Sequence, residues 1–284
     1  MKSVLITGCS SGVGFHLAKL LANKGGYKVH ATMRKITDEV KNKLMENSGG
    51  DLFIHTMDVC SDESVNSTVD TIIKQDGKID VLVNNAGYSQ FGCVEMVSME
   101  DVQAQFNTNF YGVIRCSKAV LPFMRKNKWG RVINLSSIGG IYGQAFNDIY
   151  CASKFALEGL SMSMAPLYKQ FGIRVILIEP GAIRTSFTAN VVKPETSKVE
   201  ADFLPYLKSL MDTYAEMFKN ESRSQTGEEV AESIIKVIED EDPPYRVQTN
   251  PATKLIYDMI FKDPSGKPEI LANEKTFFSL IPGK

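Results

Sequence analysis

Short apolar runs alternate with longer amphipathic segments through the first 180 residues of the chain. The runs are four to six residues long and apolar nearly throughout, and they lie at residues 3–7, 28–33, 52–57, 81–84, 132–135 and 175–179. Strands buried on both faces of a parallel sheet have continuous apolar sequences of this kind. The intervening segments, such as 14–23, 61–75 and 99–126, are long enough for crossover helices. The pattern predicts an α/β fold with a doubly wound, Rossmann-like parallel sheet.

The pattern changes after residue 181. Apolar side chains then recur at helical spacing, at Phe203, Leu207, Leu210, Tyr214 and Met217. This stripe predicts a helix that either covers an apolar substrate or simply packs on the core. A further helix is predicted at 226–239, a last strand at 245–248 and an irregular tail after residue 263. We interpret residues 1–284 as a single domain, with a cofactor-binding and catalytic core (1–187), a helical substrate-lid insertion (188–225) and a C-terminal helix, strand and tail (226–284).

Composition and charge restrict the function. The formal net charge is −1, so the chain lacks the basic excess that nucleic-acid binding requires. No apolar run is long enough to cross a bilayer, and the amino terminus predicts a strand rather than a signal peptide. The five cysteines are scattered and the three histidines are isolated, so we expect no metal site. We expect a cytoplasmic protein, and Phe277 and Phe278 leave peripheral membrane contact open.

A glycine-rich segment follows the first predicted strand. Its glycines permit a tight turn and a close approach of the backbone to a pyrophosphate at the start of a helix. A nucleoside-triphosphate loop would need Lys and then Ser or Thr after the last glycine, where this chain has Phe15 and His16. A glycine-rich turn without a ligand is the other alternative. We predict a dinucleotide phosphate site that consists of Gly8, Ser10, Ser11, Gly12, Val13 and Gly14.

The second predicted strand ends at Met33 and Arg34. Enzymes that prefer NAD have an acidic side chain near this point, which binds the ribose 2′-hydroxyl. The guanidinium of Arg34 instead suits a 2′-phosphate. The strand end therefore predicts NADP(H) as the cofactor, although an arginine that only solvates a surface loop would have the same sequence.

Tyr150 and Lys154 are four residues apart at the start of a predicted helix, so their side chains project from one face. A free tyrosine titrates near pH ~10, and a neighbouring cation lowers that value. Proton exchange with a substrate oxygen then becomes feasible. Ser137 follows the fifth strand at the sheet edge where ligands bind, and its hydroxyl can hold that oxygen.

These motifs together resemble the short-chain dehydrogenase/reductase family. The matching stretches follow the family's order over about residues 2–187: TGCSSGVG (7–14), NNAG (84–87), Asn109 in NTNFYG, Ser137, YCASK (150–154) and PGAIRT (180–185). Three further stretches, MDVCSDESV (57–65), FNDIYCASKFALEGL (146–160) and RVQTN (246–250), are similar to the subgroup that contains retinol dehydrogenase 8 and type 1 17β-hydroxysteroid dehydrogenase. The resemblance implies an NADP(H)-dependent oxidoreductase that interconverts an apolar alcohol and its carbonyl.

The resemblance also implies a role for each matching residue. Tyr150 would be the general acid/base, Lys154 would tune it while binding the nicotinamide ribose, and Ser137 would orient the substrate oxygen. Asn109 would complete this catalytic set by supporting a proton-relay water. The further cofactor contacts would be Asp58, Val59, Asn85, Ala86, Gly87, Pro180, Gly181, Ile183 and Thr185.

The substrate site is expected to be apolar. Besides Ser137 and Tyr150, its predicted residues are Tyr88, Phe91, Phe187, Tyr214 and Phe218. Estrogen-converting members of the subgroup are expected to hold the distal steroid hydroxyl with a downstream histidine, and this chain has none after His55. Retinal reduction is therefore favoured over an estrone/estradiol activity. Another lipid carbonyl and an inactive NADPH-binding sensor are the alternatives, and the family's helical interface leaves a homodimer open.

Overall fold

The fold is built on a seven-stranded sheet in which every pair of neighbouring strands is parallel. The computed structural model describes residues 1–46, 48–49, 51–184, 200–219, 224–263, 265 and 267–278. The strands of the main sheet are β1 (Lys2–Ile6), β2 (Tyr27–Met33), β3 (Leu52–Thr56), β4 (Val81–Asn84), β5 (Gly130–Leu135), β6 (Ile173–Glu179) and β9 (Arg246–Gln248). Two short strands, β7 (Ala182–Arg184) and β8 (Ser224–Thr226), form a separate parallel pair. The strand order 3-2-1-4-5-6-9 confirms the predicted doubly wound sheet.

Helices cover both faces of the sheet. They are α1 (Gly12–Lys24), α2 (Asp38–Met45), α3 (Asp62–Asp76), α4 (Met99–Phe106), α5 (Gly112–Asn127), α6 (Asp148–Lys169), α7 (Leu204–Lys219), α8 (Gly227–Glu239), α9 (Pro251–Lys262) and α10 (Lys267–Asn273). A π-helical turn, Asn107–Tyr111, joins α4 to α5, and a short 3₁₀ turn, Ile138–Gly140, follows β5. Among the described residues, no helix has the length and apolar content needed to cross a bilayer.

Each central strand contributes to two separate cores, which explains its continuous apolar sequence. Val4 and Ile6 pack with α1 and α8 on one face, whereas Leu5 packs with α3 and α5 on the other. All three side chains are 0% exposed. Because successive side chains of a strand point to opposite faces, only a strand covered on both faces has this pattern.

The C-terminal region differs in part from the sequence prediction. The predicted helix at 226–239 is α8, and Thr226 and Glu229 form its capping box. The expectation of an irregular tail after residue 263 is wrong, since α10 and a second π-helical turn, Glu274–Phe278, occupy it. Helix α9 was not predicted from periodicity, although Asn250 caps it and Pro251 occupies its first turn.

Two of the three histidines are not isolated, contrary to the sequence prediction. The Nδ1 atom of His30 on β2 lies 2.9 Å from the Nε2 atom of His55 on β3. Register pairs Thr32, not His30, with His55, so the two imidazoles are diagonal neighbours on one face. Neither strand could reveal this contact alone, because it depends on their pairing.

Candidate active site

The predicted functional segments meet at the carboxyl edge of the sheet. The glycine-rich loop follows β1, the NNAG segment follows β4 and Ser137 follows β5. Open α/β sheets bind ligands at this edge, where the strand order reverses. The structure therefore brings together segments that are more than a hundred residues apart in the chain.

The phosphate loop requires glycine at two of its predicted positions. A Cβ atom on Gly14 would lie 2.4 Å from Asn85 Nδ2, and one on Gly8 would lie 2.7 Å from the Cα atom of Ala86. Gly8 and Gly12 also have φ angles of 74° and 65°, which other residues rarely adopt. The Ser11 side chain makes no capping hydrogen bond to α1. The first N–H groups of α1 therefore have no side-chain cap from Ser11, and a phosphate fits there.

Asn85 holds the phosphate loop in place. Its Nδ2 atom donates to the carbonyl oxygens of Thr7 and Gly8, at 2.7 and 2.9 Å. In return, the Thr7 hydroxyl accepts hydrogen bonds from the backbone N–H groups of Asn85 and Ala86. The Asn85 amide is thus a structural clamp between β1 and β4. Sequence reasoning missed Thr7, whose only signal was its place directly after the first strand.

The adenosine end of the predicted cofactor path is less enclosed. Arg34 is exposed at the end of β2. Asp58 accepts a hydrogen bond from the Cys60 backbone at 2.9 Å, which orders the turn after β3. Val59 is buried, and a Cβ atom on Gly112 would lie 2.9 Å from its Cγ2 atom.

Tyr88 is half-buried in the segment that follows Gly87. Its phenol is influenced by the charges of Cys60, Asp101 and Arg34, and burial raises its pKa. The aromatic cluster described below does not include it. The predicted contact of Tyr88 with the substrate stays a prediction.

Asn109 occupies the π-helical turn and is 1% exposed. Its side chain accepts a hydrogen bond from the Tyr88 N–H and donates to the Tyr88 carbonyl oxygen and to the Ser153 hydroxyl, at 3.1, 3.0 and 3.2 Å. It therefore ties the segment after β4 to the start of α6. Gly87 is needed beside it, since a Cβ atom there would lie 3.1 Å from Asn109 Oδ1. π-helical turns are often found at functional sites.

Ser137, Tyr150 and Lys154 form a buried group. The side chains of Ser137 and Tyr150 are hydrogen bonded to each other. The Lys154 Nζ atom lies 5.8 Å from the centre of the Tyr150 ring and donates to the Leu135 carbonyl oxygen at 2.7 Å. This arrangement agrees with the predicted geometry of one helical face.

The electrostatics of the pair differ from the sequence expectation. Burial raises the pKa of Tyr150, and the hydrogen bond with Ser137 only partly opposes this. Burial also lowers the pKa of Lys154 to about 8, against the opposing charge of Glu158. Desolvation is thus the largest influence on the pKa of both groups.

An aromatic cluster covers the other side of the site. Its fully or partly buried members on the described chain are Phe91, Cys93, Met96, Ala145, Phe146, Phe203, Tyr206, Leu207, Leu210 and Tyr214. The ring centres of Phe91 and Tyr214 are 6.1 Å apart, and Asn147 donates a hydrogen bond to the Tyr214 hydroxyl at 2.9 Å. Helix α7 therefore packs across the site, and its Tyr214 phenol lies near Tyr150.

Helix α9 supplies a second apolar wall that the sequence did not predict. Its side chains Ile256, Tyr257, Met259 and Ile260 pack on Ile138, Ile141 and Tyr142, which follow Ser137. The cap formed by Asn250 and Pro251 was the one available signal for this helix.

The segment after β6 contains the remaining predicted contacts. The Pro180 carbonyl oxygen accepts a hydrogen bond from the Ile138 N–H at 2.8 Å. A Cβ atom on Gly181 would lie 2.9 Å from Thr253, and Ile183 is half-buried in β7. Thr185, Phe187 and the side chain of Phe218 lie outside the described residues.

Three features of the site fit a dinucleotide. Two glycines leave space that a Cβ atom would fill, a helix begins at the loop, and a buried ammonium lies beside a buried phenol. Doubly wound sheets bind dinucleotides at this edge, next to a loop and a helix start of this kind.

Comparison with known proteins identifies the family. The family model described as short chain dehydrogenase matches residues 2–196, and the chain belongs to this family. Retinol dehydrogenase 8 from Bos taurus is 39% identical over 277 residues, which cover 93% of this chain and 86% of the relative. 17-beta-hydroxysteroid dehydrogenase type 1 from Homo sapiens is 35% identical over 99% of this chain and 87% of the relative. A solved structure of ElxO with NADP bound has a TM-score of 0.75 at 26% identity, and covers 89% of this chain and 99% of that one.

Proposed function

We propose that the protein is an NADPH-dependent reductase of an extended apolar carbonyl compound, with a retinoid aldehyde such as all-trans-retinal as the favoured substrate. The observation that carries the proposal is the buried hydrogen bond between Ser137 and Tyr150, next to the Lys154 ammonium. This group lies at the sheet edge that also contains the phosphate loop.

The chain's own residues would handle the oxygen and the proton. The nicotinamide supplies a hydride when NADPH is bound. Ser137 would bind the carbonyl oxygen, and Tyr150 would donate its proton to that oxygen as the alcohol forms. Lys154 would stabilise the phenolate that remains. The raised pKa of Tyr150 keeps the phenol protonated at neutral pH, which suits a proton donor in the reductive direction.

Arg34 supports NADP(H) rather than NAD(H). It is exposed at the end of β2, where its guanidinium can form paired hydrogen bonds with a 2′-phosphate. The next residue is Lys35, so no acidic side chain stands at the strand end.

The walls of the site support an apolar substrate. The polar side chains available for a distal oxygen distinguish a steroid from a retinoid. The walls of α7 and α9 consist mainly of aromatic and aliphatic side chains. The relatives include proteins named for retinol and for 17-beta-hydroxysteroids. A steroid has a distal oxygen to bind, but the chain has no histidine after His55 and the Tyr214 hydroxyl is bonded to Asn147. A retinoid tail needs no such donor.

A steady-state assay tests the proposal. NADPH and NADH are each supplied with all-trans-retinal, estrone and a short aliphatic aldehyde. We expect the highest kcat/KM with NADPH and retinal. Preferred reduction of estrone would overturn the substrate assignment, and no turnover of any carbonyl would favour the sensor alternative.

The variant Tyr150→Phe tests the mechanism in the same assay. Because it removes the proton donor, we expect turnover to fall by about 10²–10⁴-fold while NADPH binding, followed by fluorescence, persists. Tyr168→Phe, near the other end of the same helix, is the matched control, with turnover near that of the wild type. Unchanged turnover in Tyr150→Phe would refute the assignment.

Two surfaces support further association. A groove between α5 and α6 exposes Leu167 and Phe171, and we propose that a homodimer forms there. Sedimentation should then give about twice the chain mass of 31.5 kDa.

Helices α9 and α10 expose Leu255, Phe261 and Ile270, which support peripheral contact with a membrane. Vesicle co-sedimentation measures that contact, while the side chains of Phe277 and Phe278 lie outside the described residues.

A further inference from the structure

A buried group of charged side chains lies directly beneath the proposed catalytic residues. Glu158 on α6 and Glu179 at the end of β6 are 4% and 0% exposed. The Arg246 Nη1 atom lies 2.8 Å from Glu158 Oε2 and 2.9 Å from Glu179 Oε1, so one guanidinium serves both carboxylates. Gln248 donates a further hydrogen bond to Glu179 at 2.6 Å.

The two carboxylates are not equivalent. Glu179 accepts hydrogen bonds from both Arg246 and Gln248. Glu158 is paired with Arg246, and the Ser136 hydroxyl and the Glu179 carboxyl are the other groups close to its carboxyl group. Two buried carboxyl groups thus share one arginine, and a second positive charge nearby would favour the ionisation of both.

Lys154 is that second cation. It precedes Glu158 by one helical turn on α6, it is 6% exposed, and the charge of Glu158 acts on its ammonium. The other groups that face Glu158 are the Ser136 hydroxyl after β5, Glu179 on β6 and Arg246 on β9. Arg246 is therefore paired with both carboxylates, and Glu158 also acts on the Lys154 ammonium one helical turn away.

We propose that Glu158 is a positioning residue, which keeps the Lys154 ammonium charged and directed at Tyr150 over the working pH range. This inference rests on the proposed function, because it assigns the control of that site to a residue outside the predicted catalytic set. Glu158 itself does not touch the reacting atoms.

The pKa directions agree with this coupling. Burial raises the pKa of Glu158 to about 7, with repulsion from Glu179 next in size. Burial lowers the pKa of Lys154 to about 8, and Glu158 opposes that shift. Above neutral pH the ionised Glu158 would retain the proton on Lys154. Without this carboxylate, Lys154 would lose its charge at a lower pH.

Glu158→Gln tests the proposal, with kcat and KM measured against pH for NADPH and the best carbonyl. We expect the alkaline limb of the kcat profile to move down by about one pH unit, with KM for NADPH changed less than about threefold. Glu158→Asp should restore the limb. Glu179→Gln is the matched control, because it disturbs the same arginine but leaves the charge next to Lys154, so its alkaline limb should not move down.

A second readout does not depend on turnover. The neutral form of an amine reacts with acylating reagents, so peptide mass spectrometry can follow the acylation of Lys154 as a function of pH. We expect acylation to begin at a lower pH in Glu158→Gln than in the wild type. If that variant fails to fold, Glu158→Gln with Arg246→Gln removes one charge of each sign and should give the same shift.

The outcomes separate the two proposals. Absence of carbonyl turnover in the wild type would contradict the proposed function, while acylation would still test the coupling. An unchanged acylation profile in Glu158→Gln, or an equal downward shift in Glu179→Gln, would show that the cluster is merely structural and would overturn the inference.

Discussion

Gly14 lies where α1 passes over the end of β4, and its missing side chain is a requirement of that contact. In Gly14→Ala the new Cβ atom would meet Asn85 Nδ2 and the Gly8 carbonyl oxygen, at 2.4 and 2.7 Å. We expect a loss of about 1–3 kcal/mol in the free energy of unfolding, together with weaker NADPH binding. Urea denaturation and a fluorescence titration measure the two effects.

Gly159→Ala is the control for that substitution. Gly159 is exposed on α6, and nothing lies within 4 Å of a Cβ atom built there. Alanine favours a helix interior over glycine by up to about 1 kcal/mol, so this variant should be as stable as the wild type or more so. Equal losses in both variants would contradict the steric argument at Gly14.

Arg34 offers a test of cofactor choice at a single side chain. Loss of hydrogen bonds to a charged phosphate costs about 1.5–3 kcal/mol, so Arg34→Ala should lower kcat/KM for NADPH by about 10–100-fold. The value for NADH should change little, because NADH lacks the 2′-phosphate. Lys35→Ala, at the neighbouring exposed position, is the control and should preserve the preference. Equal losses with both cofactors would argue against a 2′-phosphate contact.

The sequence was informative at this scale where the signal is local. Tyr150 and Lys154 are one helical turn apart, and the glycines of the loop are close together in the chain. The clamp of Thr7 on Asn85 and the pairing of Glu158 with Arg246 could not be predicted, because each joins residues that are far apart in the chain. Such contacts depend on strand order and register.

At the scale of whole elements, α7 is the helix on which the choice of substrate is expected to depend. Leu210 is 0% exposed between α7 and the aromatic cluster. In Leu210→Ala the lid would lose buried apolar contact without losing helix propensity. We expect KM for retinal to rise about tenfold, equivalent to about 1.4 kcal/mol, with a smaller change for a short aldehyde.

Met211→Ala is the matched control, because Met211 is the next residue on α7 and is 36% exposed. Its KM values should stay near those of the wild type. If Leu210→Ala raised KM equally for long and short substrates, α7 would act as part of the core rather than as a lid. The periodicity of the sequence left these two interpretations open.

Elements with strong periodicity were predicted well, and elements defined by one irregular turn were not. The six predicted strands of the first 180 residues and helix α8 are all present. The predicted helix at 99–126 contains the π-helical turn at 107–111, which has no composition signal. Helix α9 and α10 lie next to proline and glycine residues that pointed to loops.

At the scale of the whole molecule, the outer strands β2 and β3 and helix α3 are joined by a chain of one carboxylate and two imidazole groups. The Asp76 carboxylate lies 2.9 Å from His30 Nε2, and His30 Nδ1 lies 2.9 Å from His55 Nε2. In the neutral pair, His30 donates to Asp76 and accepts from His55. Burial lowers the pKa of both His30 and His55.

This chain of groups predicts how stability depends on pH. The unfolded histidines titrate near pH ~6.5, so below that value the unfolded chain binds more protons than the folded one. The free energy of unfolding should have its full value above about pH 6.5. It should fall as the pH drops, by up to about 1.4 kcal/mol per pH unit for each proton. Urea midpoints between about pH 5 and 8 measure this.

His55→Gln should flatten that dependence, because the unfolded chain then loses one group that takes up a proton. His16→Gln on α1, outside the cluster, is the control and should keep the wild-type slope. Midpoints that do not change between pH 5 and 8 in the wild type would contradict the prediction.

The π-helical turn at 107–111 contains one residue more than a regular helical turn, and this limits which deletions the sequence tolerates there. Deleting one residue there would let α4 run into α5 as an ordinary helix, so regular helix hydrogen bonding gives no reason to keep it. The deletion would turn Asn109 by about 100° and break its ties to Tyr88 and Ser153. The turn is therefore explained by the place it gives to Asn109, and a chain without it would have to join these two segments by other contacts.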